Sequence, residues 1–431
     1  MEEIKNLKPA IECEANYLLK DDQNGEIAQG KCDLSIDKEK LTILPQFGEP
    51  LLIPYRDFVT ISNGNYKIEI LLVSKETIVL GDLGFKFEDF SRNLSNFSNE
   101  VILKDLLMSE TNLVSGLTAN LKYTGDNQVE QDKGRCELRI YETGLVIITG
   151  GGDFIRIPYC DISKNQVNNY KLIVSTDYQE TYVFSQMGKE LEKSARLINE
   201  SINKLSKKIQ ISLEEIFTYR DSSVIRKIAQ LMKDGRAVRR LDIEAINPEL
   251  WSELEQRLDL LGIKEQYEYL KSLAQSDRMC IGTKRGLMGD LTGEYTWFLA
   301  PIFGTDINQP GNAIAMEATS DDDNGKATYF FRMTDWSTYL NCRNLTELQA
   351  EADKAIRKLN HHLVAINFRR EPIYLTDEQL LSPKSIIYRR AISKIPALRE
   401  LRNCFIGRVM HYSPEQWKAA VIQTLESNKS K

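Results

Sequence analysis

The chain has 431 residues, 42% apolar and 27% charged, with a formal net charge of −6; this is the composition of a globular protein with room for roughly three domains. The acidic start at residues 1–6 has no apolar run behind it, which argues against a signal peptide, and no stretch approaches the ~18–20 apolar residues of a membrane span. Seven cysteines without close pairs suit free thiols in a reducing compartment, so a cytoplasmic location is expected. Residues 1–210 carry 25 basic against 32 acidic side chains, whereas residues 211–431 carry 31 against 30. An acidic first half repels phosphate-rich partners, which makes nucleic acid an unlikely ligand and leaves lipid headgroups needing a local basic pocket.

That first half is written twice. Ala15-Asn16 returns as Ala119-Asn120, and Gly30-Lys31-Cys32-Asp33-Leu34-Ser35-Ile36 as Gly134-Arg135-Cys136-Glu137-Leu138-Arg139-Ile140, a constant offset of 104 residues. Ile53-Pro54-Tyr55-Arg56-Asp57 returns as Ile157-Pro158-Tyr159-Cys160-Asp161, and Asn65-Tyr66-Lys67-Ile68 as Asn169-Tyr170-Lys171-Leu172. A period this long is one small domain rather than a solenoid unit. In each copy, Cys32–Ile36 and its counterpart alternate apolar and polar residues as a half-buried antiparallel strand does. Leu41–Leu44 and Leu51–Ile53 flank a turn at Gln46–Glu49, which the second copy fills with Gly150-Gly151-Gly152-Asp153; glycine there supplies the positive φ of a tight hairpin. Tyr66–Val73 and Thr77–Leu80 are further strands. Phe87, Phe90, Leu94 and Phe97 then recur at helical spacing, as do Leu191, Ala195, Ile198 and Ile202.

Six or seven short antiparallel strands closed by a helix, with the Ile-Pro-Tyr-x-Asp strand and the following Tyr-Lys-Ile/Leu, resemble the pleckstrin homology-like superfold, and its bacterial members in particular. The resemblance covers roughly residues 10–208. It implies two such domains, at 10–104 and 114–208, and a binding role, since that fold hosts lipid, peptide and protein recognition alike. Lipid-binding members converge cations on an inositol phosphate. Lys122, Lys133 and Arg135 match that pattern in the second copy, opposed by Asp126, Glu130 and Asp132 in the intervening loop. The first copy has Lys20, but Gln29-Gly30-Lys31 breaks the pattern. Solvated edge-strand charges are the competing explanation.

From Ser212 to Gln275 the pattern is helical. Asn247-Pro248 marks a helix start, Trp251, Leu254, Leu258 and Leu261 line one face, and Gly262 ends it. A module or linker at 209–275 is expected, with Arg226, Lys227, Lys233, Arg236, Arg239 and Arg240 on a solvated face. Residues 276–431 read as an α+β domain. Tyr295–Leu299, Asn312–Thr319 and Lys326–Met333 are strands, Asp321–Gly325 is a hairpin turn, and Leu345–His362 is a helix capped by Asn344. Whether this region is a third, diverged copy stays open. Between Pro383 and Tyr412 lie Lys384, Arg389, Arg390, Lys394, Arg399, Arg402 and Arg408 against the single acid Glu400. Such a basic stretch fits a protein contact, internal or external, more readily than RNA or an anionic membrane.

No phosphate loop, nucleophile elbow or dinucleotide fingerprint occurs. The three histidines, His361, His362 and His411, have no spacing that builds a metal site, and no metal or cofactor is expected. Cys404 and His411 are seven residues apart on an expected helix, so Cys280, Cys404 and His411 define the one catalytic alternative. The fold class expected is therefore α+β: two tandem antiparallel barrel or sandwich domains, a helical middle and a C-terminal α+β domain. The function expected is a non-catalytic cytoplasmic adaptor that binds protein partners. Its candidate binding residues are Lys122, Lys133, Arg135, Arg389, Arg390, Lys394, Arg399 and Arg402. Anionic lipid is the alternative partner through the second copy, and an enzyme site in the C-terminal domain is the further alternative.

Overall fold

The computed structural model describes residues 11–106, 110–125, 127–218, 220–285, 294–306, 309–320, 327–342, 344–382 and 384–428. Asp126 and the turn expected at Asp321–Gly325 lie outside the described residues. The chain is α+β, as the patterning predicts. The first copy forms β1 (Ile11–Lys20), β2 (Glu26–Ile36), β3 (Lys40–Pro45), β4 (Leu51–Pro54), β5 (Phe58–Gly64), β6 (Lys67–Leu72), β7 (Thr77–Gly81) and α1 (Phe87–Leu106). The second repeats it with β8 (Asn112–Thr124), β9 (Glu130–Tyr141), β10 (Gly144–Thr149), β11 (Phe154–Pro158), β12 (Ile162–Asn168), β13 (Lys171–Thr176), β14 (Thr181–Ser185) and α2 (Glu190–Ile216). The sheet orders are β4-β3-β2-β1-β7-β6-β5 and β11-β10-β9-β8-β14-β13-β12. Each sheet curls until its last strand pairs with its first, the arrangement of the pleckstrin homology-like fold. Alternation aims Leu34, Ile36, Leu41, Ile43, Ile68 and Ile70 inward, where Phe90 and Leu94 of α1 cover them.

The offset of the repeat is also an offset of backbone shape. Asn65 and Tyr66 have φ of 51° and 57°, and Asn169 and Tyr170 have 48° and 59°, the two successive left-handed residues of a type I′ hairpin. The shared Ile-Pro-Tyr-x-Asp segment turns the chain after β4 and β11. The Tyr55 hydroxyl donates to the Asp37 carbonyl at 2.7 Å, and Tyr159 to the Tyr141 carbonyl at 2.8 Å. The carbonyls of Asp57 and Asp161 accept from the Val73 and Asp177 amides.

Beyond α2 come α3 (Ser222–Leu231), β15 (Val238–Arg239), α4 (Arg240–Glu244), α5 (Glu249–Leu260) and α6 (Lys264–Leu273). Next are β16 (Cys280–Arg285), β17 (Glu294–Ile302), β18 (Ala313–Ser320), β19 (Ala327–Arg332), α7 (Trp336–Asn341), α8 (Leu345–Ala365) and α9 (Glu371–Tyr374). The chain ends with α10 (Ile386–Lys394), α11 (Pro396–Cys404), β20 (Phe405–Met410) and α12 (Pro414–Ser427). Asn344 caps α8 by accepting from the Glu347 amide at 3.0 Å. Strands β15 to β20 form a sheet in simple sequential order. Among the described residues β15 does not pair with β20, so this sheet lacks the strand order of the two copies. One face of it shares a core with α3, α5, α6 and α12, around Trp251, Tyr267, Phe298 and Trp417.

The chain divides into two compact units: residues 1–108 with 375–394, and residues 109–374 with 395–431. In the first, α10 packs on α1, on the Tyr55–Asp57 turn and on β5. In the second, α3 packs on α2, which itself lies along the Tyr159–Asp161 turn and β12. Among the described residues, no helix is long and apolar enough to cross a membrane.

Candidate interaction face

The two copies differ most on the outer face of their β-hairpin edge. In the second copy, Arg139, Val146, Ile148, Phe154 and Arg156 are all buried. Cross-strand register places Val146 between Arg139 and Arg156, and α8 and α11 pack against β11. Three polar anchors fix α8 to this copy. Arg156 donates to the Val364 carbonyl at 2.7 Å and to Glu110 at 2.8 Å. His361 Nδ1 meets Asp161 at 2.8 Å, and Arg357 donates to the Asp177 carbonyl at 3.0 Å.

These anchors perturb their own protonation. Burial alone raises the Glu110 carboxyl, but Arg156, Thr143, Lys284 and Asn367 outweigh it and hold the group below its ordinary value. Burial lowers His361, yet the Asp161 bond and charge, with Glu180 nearby, raise it on balance. His362 is pushed down to about 3 by burial and by the charges of His361 and Lys358, against a smaller upward pull from Asp161. Asp161, the acid of the repeated motif, also meets Arg236 at 3.1 Å. Asp177 takes Lys233 and Arg236 at 2.7 and 2.8 Å. Lys233 and Arg236 are thus spent on ion pairs with the second copy, whereas a solvated face was expected for them.

Subtracting 104 from each covered position gives the same face in the first copy. Ser35, Thr42, Leu44, Pro50 and Leu52 stand at Arg139, Val146, Ile148, Phe154 and Arg156. These positions are more open: Leu44 is 43% exposed, Leu52 57%, and Phe47 in the adjoining turn 92%. The register sets Glu12, Ser35, Thr42 and Leu52 in one row and Glu14, Asp33 and Leu44 in the next. An apolar strip is therefore bordered by the exposed carboxylates of Glu12, Glu14 and Asp33. The sequence carried a signal for this contrast. Gly144–Thr149 reads GLVIIT, the unbroken apolar run of a strand buried on both faces, whereas Lys40–Pro45 reads KLTILP.

The residues singled out from sequence fall in separate places. Lys122, Lys133 and Arg135 lie on β8 and β9, exposed, with Lys122 bonded to Glu130 at 2.6 Å. Arg389, Arg390 and Lys394 belong to α10 of the first unit, whereas Arg399 and Arg402 belong to α11 of the second. Arg389 donates to the Val73 carbonyl at 3.5 Å, the position that Arg357 uses in the second copy. Arg399 approaches Asp153 at 3.4 Å, and Arg402 donates to the Pro372 carbonyl at 2.7 Å. Arg390 is only 7% exposed, and its Nε and Nη1 have no hydrogen-bond partner among the described residues; burial lowers it to about 10.

Cys404 and His411 do not share a helix: β20 separates them, because Phe405–Met410 supplies the last strand that β19 needs. Burial pushes the Cys404 thiol up to about 12 and raises Cys280 as well, the opposite of an activated nucleophile. His411 instead meets Thr328 at 3.1 Å and the buried Glu317 at 3.3 Å. All seven cysteines are free, and no cluster of metal-ligating side chains exists among the described residues.

No protein-family model matches this chain, and no curated protein sequence matches it. A solved structure of the Spt16D Pob3N heterodimer is similar over 43% of this chain and 90% of the matched chain, at 16% identity and a TM-score of 0.16. A likeness at that level carries no argument about partner or activity.

Proposed function

We propose that the chain is a non-catalytic cytoplasmic adaptor whose first copy takes a basic amphipathic helix from a partner protein on the outer face of β2, β3 and β4. The observation that carries this reading is the asymmetry of the repeat. One fold presents one face twice; the second is covered by helices of the same chain, and the first exposes Leu44, Phe47 and Leu52. Acids around the strip, in a copy with ten cations against sixteen acids over residues 10–104, favour a helix with Lys and Arg beside its apolar stripe. The grooves beside the closing helices are less suited to partners, since α10 and α3 of this chain already pack there. Free thiols throughout support a reducing compartment.

The test is a photo-crosslinking amino acid in place of Phe47, with the captured peptide sequenced. A Lys- and Arg-rich segment with apolar residues three and four apart is expected, and the Leu44→Glu, Leu52→Glu double variant should lose it. Capture should also weaken as salt rises. Undiminished capture by the double variant, or capture of a second copy of this chain, removes the reading.

A further inference from the structure

A cavity of about 160 Å³ lies in the second unit, where α6 meets the start of α12. Its wall is Glu265 and Gln266 of α6, His411, Tyr412 and Ser413 of the turn after β20, and Pro414 and Trp417 of α12. Two of these side chains hold a buried atom that meets no hydrogen-bond partner among the described residues: Gln266 through Oε1 and His411 through Nδ1. The network behind the cavity fixes the His411 tautomer. The Trp417 indole donates to the Thr328 hydroxyl at 2.9 Å, and that hydroxyl donates to Glu317 at 2.7 Å. His411 Nε2 lies 3.1 Å from the same hydroxyl and 3.3 Å from the same carboxylate oxygen, so it faces acceptors and carries a proton. The neutral ring then keeps its lone pair on Nδ1, and both orphaned atoms are acceptors. Charge around the cavity is negative as well. Glu265 lines it, Glu317 is fully buried behind His411, and Glu415 in the first turn of α12 answers the positive end of that helix. Lys418 pairs with Glu265 at 3.4 Å, but both side chains are half-exposed, which makes that hold weak. The Ser413 hydroxyl is spent on the Gln416 amide at 3.3 Å.

We infer that this cavity binds a guanidinium group, which donates to Gln266 Oε1 and His411 Nδ1, pairs with Glu265 and lies against the rings of Tyr412 and Trp417. Guanidinium is planar, offers five donors and no acceptor, and packs on aromatic faces, so it answers a site that presents acceptors, negative charge and rings. A cavity of ~150 Å³ holds benzene, so this one admits a short alkylguanidinium of about six heavy atoms. The inference is independent of the adaptor reading, which concerns the first copy.

Ethylguanidinium and its neutral isostere ethylurea are the probes, titrated calorimetrically into the full chain. Ethylguanidinium should bind saturably, and ethylurea about tenfold more weakly or worse, since it lacks the charge and puts a carbonyl in place of one amino group. Gln266→Met and Glu265→Gln should each weaken ethylguanidinium about threefold to tenfold, with melting curves showing that both variants are folded. Free arginine and the capped peptide acetyl-Ala-Arg-Ala-amide then separate a small metabolite from the side chain of a partner protein. Whichever binds more tightly names the source, and either result supports the site. Absence of saturable ethylguanidinium binding at millimolar concentration overturns the proposal, as does equal binding of ethylurea. Ethylguanidinium binding that Gln266→Met leaves unchanged places the cation elsewhere and overturns it too.

Discussion

Replacing Arg156 with leucine should destabilise the second unit by about 3–5 kcal/mol, because it removes one partner of a buried pair and leaves the other in place. The side chain donates at 2.8 Å to Glu110, 2.7 Å to Thr143 and 2.7 Å to the Val364 carbonyl. Glu110 stays buried after the change, keeping the hydrogen bonds from Asn367 at 2.9 Å and the Thr143 amide at 3.2 Å, with the charge of Lys284 nearby. Leucine recovers part of the loss as apolar contact, so the lower end, about 3 kcal/mol, is the expectation. The mirrored change, Leu52→Arg, puts the same side chain at the same place in the repeat, but on an exposed face, where about 0.5 kcal/mol or less is expected. Trp251, Trp297, Trp336 and Trp417 all lie in the second unit, so tryptophan fluorescence in urea reads that unit alone. The Arg156→Leu transition should move to lower urea, and the Leu52→Arg transition should stay. Glu110 is held below its ordinary 4.5, so its contribution is present above that value and is lost as pH falls through the folded value. The gap between the native chain and Arg156→Leu should therefore narrow in acid. A loss below about 1 kcal/mol for Arg156→Leu, or a gap independent of pH, would refute the account of the covered face.

Arg390→Met should stabilise the first unit by about 1–3 kcal/mol, since it replaces a buried guanidinium whose Nε and Nη1 lack partners among the described residues with an apolar side chain of similar length. Slower amide exchange across α1 and α10 is the readout, and faster exchange contradicts the assignment. The folded value of His361 lies above 6.5, so its contribution to stability is complete below 6.5 and is lost as pH rises through the folded value. An imidazole titration above 6.5 in the native chain should drop below it in Asp161→Asn, where burial acts without the opposing carboxylate. A titration that Asp161→Asn leaves in place would show that the raised value has another source.

The sequence by itself determined everything that is local and periodic. An ungapped repeat implies two copies of one backbone, because strand alternation, turn chemistry and helix spacing act within a few residues of chain; the left-handed pairs at Asn65-Tyr66 and Asn169-Tyr170 share that offset, although Tyr66 was expected to open a strand. Asn344 was likewise legible as a cap, since its partner is three residues away. What the tertiary structure decided was which surfaces meet. Asp57 and Asp161 occupy the same place in the motif, yet only Asp161 meets a histidine, His361, 200 residues further on. Arg390 and Arg399 looked like one basic stretch, and they belong to different units. Cys404 and His411 looked like one helical face, and a strand edge waiting at β19 drew the residues between them into a sheet. Pairing across the chain depends on which elements bury each other, and no local pattern encodes that. The strip at Leu44, Phe47 and Leu52 has the same origin: its residues are exposed, whereas α8 and α11 pack on its counterpart in the second copy.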